Sequence, residues 1–250
     1  METSNCSRRF YKHLAMKTKS QAYQKYTKQD HEVWKLLFDR QIKNLSDKAC
    51  NEYLECMNIL KDVLHANSIV DFKKLDNKFK TITGWSIKVV DGLIPRDEFF
   101  ELLSQKQFPS STWLRKKTQL DYLEEPDMFH DIFGHVPQLA NKDYSNFMKK
   151  FGEMGYKNRH DEQYVIRLQR LYWYTIEFGL LNDMGKHKIY GAGIISSFKE
   201  TNHVFDKDII VKPYDINQIM DTDFIISTIQ SHYFEIESYK QLYESLAEIQ

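Results

Sequence analysis

Cysteine, proline and glycine are all scarce in this 250-residue sequence, with 3, 5 and 9 copies. Cys6, Cys50 and Cys56 are odd in number and lack CxxC spacing. That excludes a disulfide scaffold and a zinc ribbon, and it fits a reducing compartment. So little glycine and proline favours long helices over many tight turns, and no Pro/Gly/Ser-rich linker or internal repeat divides the chain. Net charge is missing too, because 35 basic residues balance 35 acidic ones. No long-range field therefore draws the protein to nucleic acid or an anionic membrane. Arg8 to Lys28 is locally basic but carries few anchoring apolar residues, as a solvated lead-in does. No run of about 18 apolar residues could span a bilayer, and no secretory apolar segment follows the first charges. A soluble, cytoplasmic protein is expected.

What the chain has in quantity is aromatic surface, with 16 Phe, 15 Tyr and 4 Trp. Its length suits one domain able to bury a core and keep a deep pocket, although core packing alone accounts for many rings. Thr27 to Asp30 reads as a capping box opening a helix with Val33, Trp34, Leu37 and Phe38 on its apolar face. Ser46 is expected to cap the next helix, carrying Tyr53, Met57, Leu60 and Val63, and Asn141 a later one. The tail from Tyr233 to Ile249 reads as a terminal amphipathic helix. Strand patterns are confined to Trp85–Val89 and Ile209–Val211. The expected fold class is mainly α: a single helix-rich catalytic domain over residues 26–250 with small β-ribbons, after a loosely ordered segment at 1–25.

Two segments carry chemistry. The first runs from Pro126 to Pro137 and holds His130 and His135 five residues apart. An ideal helix turns about 140° over that spacing, so the rings converge only if the helix stops between or beside them. Gly134 and Pro137 supply such a stop. An H-x4-H pair alone leaves metal ligation and two satisfied core histidines both open. The second segment, Leu171 to Leu181, places Glu177 in an almost wholly apolar helix. No residue three or four positions away can pair with a carboxylate there. Glu177 either meets a cation or proton inside the protein, or lies at a helix edge and reaches water. Two histidines and one carboxylate form the set that holds Fe(II) on one triangular face, with three positions open. His31, His160, His187 and His203 lie near helix starts, polar runs or turns, where histidines are usually hydrogen-bonded locally.

The motifs Glu125-Pro126-Asp127-x-x-His130-x-x-x-Gly134-His135-Val136-Pro137, Tyr172-Trp173-x-Thr175-x-Glu177-Phe178-Gly179-Leu180 and Tyr190-Gly191-Ala192-Gly193-x-x-Ser196-Ser197-Phe198-x-Glu200 occur in order. Together they resemble the pterin-dependent aromatic amino acid hydroxylases over about Tyr26 to Tyr233, most of all the short bacterial members that act on phenylalanine. The resemblance implies that His130, His135 and Glu177 ligate Fe(II), with Tyr172 near the metal. It implies that Arg115 clamps the substrate carboxylate, buttressed by Asp127, and that Pro126, Trp173, Phe178 and His130 line the ring pocket. Ser196 and Glu200 are implied to orient His130 and the pocket. Gly92, Leu93 and Phe99 fall in the implied tetrahydrobiopterin-binding stretch, where Phe100 makes the register ambiguous by one residue.

Asp131 stands where animal members carry glutamate, which implies a longer or water-bridged pterin contact, and Leu123 stands where they carry threonine. Ile226 falls near a position that is acidic in tyrosine hydroxylases; an apolar side chain there gives a phenol hydroxyl no partner and favours phenylalanine. The implied reaction is a ring hydroxylation by dioxygen with tetrahydropterin as electron donor, in a monomer without nucleic-acid or membrane partners. Tryptophan as substrate, a zinc hydrolase on the same ligands, and a non-enzymatic helical binding module are the competing readings.

Overall fold

The computed structural model describes residues 19–121, 125–226 and 228–249. The expected capping box is in place. Thr27 Oγ1 accepts from the Asp30 amide, and the Asp30 carboxylate accepts from the Thr27 amide, opening α1 over Lys28–Leu45. Helix α1 buries Val33, Trp34, Leu37 and Phe38 as its spacing requires. Ser46 does not cap the next helix. Its hydroxyl donates back to Lys43 O, and α2 (Asn51–Leu60) starts at Cys50, whose sulfur accepts from the Tyr53 amide. The reason is tertiary: the Cys50 amide donates to Ile189 O and the Ile189 amide to Lys48 O, and this bridge sets where the helix begins. Val63 lies beyond the end of α2.

Helix α3 (Phe72–Lys80) leads to β1 (Ser86–Val89), which pairs in parallel with β2 (Gln107–Ser110) across α4 (Arg96–Ser104). Asn141 caps α5 (Lys142–Lys157) as expected. Helix α5 packs closely on α4 because Gly155 has no side chain: a Cβ there would lie 2.2 Å from the Phe100 ring. Helix α6 (Glu162–Tyr172) follows, and then a four-stranded sheet in the order β4-β3-β6-β5. Strands β3 (Leu180–Asp183) and β4 (Lys186–Ile189) form a hairpin whose turn residues, Met184 and Gly185, both have positive φ. Strands β5 (Ile210–Pro213) and β6 (His232–Ile236) pair in parallel, as do β3 and β6. Helices α7 (Ala192–Ser196), α8 (Phe198–His203) and α9 (Ile216–Met220) fill the connections, and α10 (Tyr239–Ser245) comes last.

The tail from Tyr233 is thus not one helix. Its first residues are the central strand β6, with Tyr233, Phe234 and Ile236 buried. A short, apolar run fits either period, and sheet pairing decided it. Of the amino-terminal segment expected to be loose, residues 19–25 are described and held: Gln21 donates to Val70 O and accepts from the Phe72 amide, and Tyr23 donates to Ile69 O. The expected mainly α class with minor β structure describes the observed architecture. No helix among the described residues is long and apolar enough to cross a membrane.

Candidate metal centre

His130 and His135 do converge, but not because the helix stops. Residues His130–His135 form a π-helix, in which the Val136 amide bonds to Asp131 O. Hydrogen bonds of the i→i+5 kind widen the turn and bring residues five apart much nearer to one face than an α-helix does. Phe129 and Phe133 stack on each other at 4.7 Å and pack against Trp34 and Phe38 of α1, fixing the opposite face. Gly134 allows the helix to touch α7: a Cβ there would lie 2.8 Å from Ala192 O. Glu177 closes a second π-helical turn, Trp173–Glu177, continuing α6. Widening again re-aims a side chain that the sequence pattern placed on an ordinary helix.

The three ligand atoms all lie within 4.8 Å of one another. His135 Nε2 is 3.1 Å from Glu177 Oε1 and 3.1 Å from His130 Nε2. His130 Nε2 is 3.7 Å from Glu177 Oε2. With its side chain only 14% exposed, Glu177 does not simply reach water. Burial pulls His130 down to about 4, against the attraction of Glu177, so its ring is neutral near pH 7. Burial alone would raise Glu177, but the two histidines and the Tyr172 hydroxyl more than offset it and hold the carboxyl at about 2. An ionised carboxylate thus faces the Nε2 atoms of two histidines. That donor set fits a divalent cation. His130 Nδ1 sits 2.8 Å from Ser196 Oγ. With the proton on Nδ1, Nε2 keeps its lone pair toward the centre.

The cluster lines a cleft of about 340 Å³ walled largely by rings, among them Phe99, Phe108, Tyr172, Trp173 and Phe224. Of the residues singled out in the sequence, Gly92, Leu93, Phe99, Pro126, Asp131, Tyr172, Trp173 and Ile226 line it together with the three ligand residues. Phe100 also reaches the lining, but its side chain is buried between Phe151 and Gly155, whereas half-buried Phe99 meets Tyr172 edge-on at 5.4 Å. Phe99 is therefore the ring free to meet a flat ligand. Burial pushes Asp131 up to about 7, partly countered by the Ser111 amide that donates to it at 3.0 Å.

Other singled-out residues stand behind this lining. Phe178 packs on Trp173 at 4.6 Å. Arg115 is gripped by Asp127 through Nε at 2.9 Å and Nη2 at 2.8 Å, and Nη1 donates to Leu120 O. The same carboxylate accepts from the Arg115 and His130 amides, which ties the guanidinium to the start of the ligand helix. Glu200 accepts from Tyr233 Oη at 3.0 Å, so its contact is with β6 rather than with His130. Leu123 lies outside the described residues. Sequence reasoning missed Phe108, tilted over the His135 ring at 5.1 Å, and Phe224, stacked on Trp173 at 4.5 Å. Phe224 has no periodic neighbours to mark it. His203 is engaged locally, with Asp206, whereas His31 accepts from the Ile69 amide and His187 contacts Glu235, both distant in sequence.

Comparison with known proteins agrees with this geometry. The family described as biopterin-dependent aromatic amino acid hydroxylase matches residues 4–250. Phenylalanine-4-hydroxylase of Chromobacterium violaceum is 43% identical over 234 residues, spanning 92% of this chain and 77% of the relative. Its crystal structure with iron(III) and oxidised 7,8-dihydrobiopterin matches with a TM-score of 0.87 at 42% identity, covering 93% of this chain and 87% of the other. A structure of the same enzyme with iron and phenylalanine matches with a TM-score of 0.85 at 41% identity, covering 92% and 83%.

Proposed function

The chain belongs to the biopterin-dependent aromatic amino acid hydroxylases, and from that premise we propose that it hydroxylates L-phenylalanine to L-tyrosine with dioxygen and tetrahydrobiopterin at a mononuclear Fe(II). The observation that carries this reading is the meeting of His130, His135 and Glu177 beneath an aromatic-walled cleft. Three protein ligands on one face leave positions for dioxygen and water, which suits oxygen activation better than a closed structural site. Bound there, iron and tetrahydropterin supply the electrons that make dioxygen reactive toward an aromatic ring.

The chain's own residues do the rest. Ser196 anchors Nδ1 of His130 and so keeps Nε2 turned toward the centre. Trp173, supported by Phe178 and Phe224, presents a flat wall against which an aromatic side chain can lie, with Pro126 and the His130 ring also in the lining. Phe99, Gly92 and Leu93 form the region assigned to the pterin, with Asp131 a polar contact for it. Arg115, held rigid by Asp127, serves the substrate carboxylate. Ile226 at the rim offers a phenol no hydrogen bond, which favours phenylalanine over tyrosine. We assign the activity to a catalytic unit over residues 26–250, acting as a cytoplasmic monomer.

The test is anaerobic reconstitution with Fe(II), then product analysis on phenylalanine, tyrosine and tryptophan with tetrahydrobiopterin. Tyrosine formed from phenylalanine, with matching oxygen uptake, is the expected result. Preferred turnover of tryptophan would move the chain within its family. Full occupancy by zinc with no oxygen uptake would overturn the reading in favour of a hydrolase.

A further inference from the structure

The described residues between Asp221 and Ser231, which join α9 to β6, have no regular structure, yet they supply Phe224 and Ile226 to the cleft. Tyr174 and Arg170 hold the start of this segment through Asp223, and Gln230 braces the rest. Gln230, only 6% exposed, accepts from Trp173 Nε1 through Oε1 at 3.0 Å. Its Nε2 donates to Ile225 O at 3.3 Å and to Thr228 O at 2.9 Å. The amide orientation is forced, since an indole N–H can only donate and the two carbonyls can only accept. The backbone of Gln230 is held in turn, because His203 Nε2 donates to its carbonyl at 3.0 Å.

We propose that Gln230 is a positioning residue for substrate selection, locking the Trp173 indole and the segment that carries Phe224 and Ile226 into one wall so that the cleft keeps its shape. This inference rests on the function proposed above. The stack of Phe224 on Trp173, 4.5 Å apart and inclined by 14°, needs both partners held. Phe224 is on the segment and Trp173 on the π-helical turn beside Glu177, so no continuous element joins them. Tyr174 Oη donates to Asp223 O and Arg170 pairs with the Asp223 carboxylate, which holds the start of the segment; Gln230 is the residue that ties its later part to the Trp173 indole itself. Removing Gln230 strands a partly buried indole N–H and frees the Ile225 and Thr228 carbonyls, so this part of the wall can move off Trp173 without any change at the ligands.

Two variants separate the two halves of the link. Gln230→Leu removes all three bonds. Gln230→Glu keeps an acceptor for the indole but sets a carboxylate oxygen against the Ile225 and Thr228 carbonyls. The probes are the indole N–H resonances of the protein's 4 tryptophans in the zinc-loaded enzyme, with Trp173 assigned by Trp173→Phe, and amide hydrogen exchange. In Gln230→Leu the Trp173 resonance should move upfield and the 222–229 amides exchange about tenfold faster, with β6 unchanged. In Gln230→Glu the resonance should stay downfield while the same amides speed up. In the iron enzyme, Gln230→Leu should raise KM for phenylalanine about tenfold with kcat within about twofold, and lower its preference over tryptophan. An unmoved resonance with unmoved loop exchange overturns the proposal. So does faster exchange throughout β6, which marks a merely structural role, or a fall in kcat with KM and preference unchanged. A wild-type enzyme that hydroxylates no aromatic amino acid refutes the proposed function instead, and leaves the resonance and exchange results to judge the link itself.

Discussion

Nδ1 of His130 lies 2.8 Å from the hydroxyl of Ser196, a residue 66 positions away on α7. With Nδ1 at that hydroxyl, Nε2 is the nitrogen that faces Glu177. Ser196→Ala removes only an oxygen from a site 5% exposed, so the fold should survive. Iron affinity should fall about ten- to a hundredfold, because the ring loses the partner that fixes its rotation. Chelator competition measures this directly; unchanged affinity would mean that packing alone orients the ring.

Asp127 is fully buried and accepts four hydrogen bonds, three from Arg115 and one from the His130 amide. Asp127→Ala leaves a buried guanidinium unpaired and an N-terminal amide of the ligand helix unanswered. A loss of about 3–5 kcal/mol in unfolding free energy is expected. Denaturant titration checks it. Arg115→Lys should be milder in stability but still raise KM, since an ammonium cannot reproduce the two-pronged grip.

How much of this was legible beforehand depended on whether local pattern or tertiary contact decided the outcome. The Thr27 cap, the Asn141 cap and the buried face of α1 follow from side chains acting within a few residues, and the sequence states them openly. Ser46 misled because a better capping residue by type lost to the Cys50–Ile189 bridge. The identities of His130, His135 and Glu177 were readable, but the geometry that joins them was not. Periodicity assumes an α-helix, and both ligand segments wind as π-helices. Phe224 and Gln230 sit in an irregular segment, where pattern carries no information about direction.

The π-helix around His130 also makes a counter-intuitive expectation. In an ordinary helix, Gly134→Ala would add about 1 kcal/mol of stability. Here the new methyl would meet Ala192 O at 2.8 Å, a backbone atom that no rotamer change can move. Overpacking of this kind costs about 1–3 kcal/mol, so the melting temperature should fall by about 2–4 °C per kcal/mol. The displacement should also separate His130 from Ser196, and iron content after reconstitution should drop with it. A variant that melts higher and binds iron normally would show that α7 gives way.

The two described cysteines offer a test independent of the metal. Burial pushes the thiols of Cys50 and Cys56 from the ordinary 9.0 up to about 12. At pH 8 the thiolate fraction is then about a thousandfold below that of a free cysteine. Neither should react with iodoacetamide in the native protein, and both should label in denaturant; mass spectrometry resolves them from Cys6, which lies outside the described residues. The same shift carries a sign for stability. Between pH 9 and about 12 the folded chain binds protons at these thiols that the unfolded chain has released, so unfolding free energy must fall as pH rises through that window. Replacing both by alanine should flatten the fall above pH 9, although each substitution also costs some packing at neutral pH. If the double variant declines as steeply as the parent, the buried tyrosines rather than the thiols govern the alkaline limb.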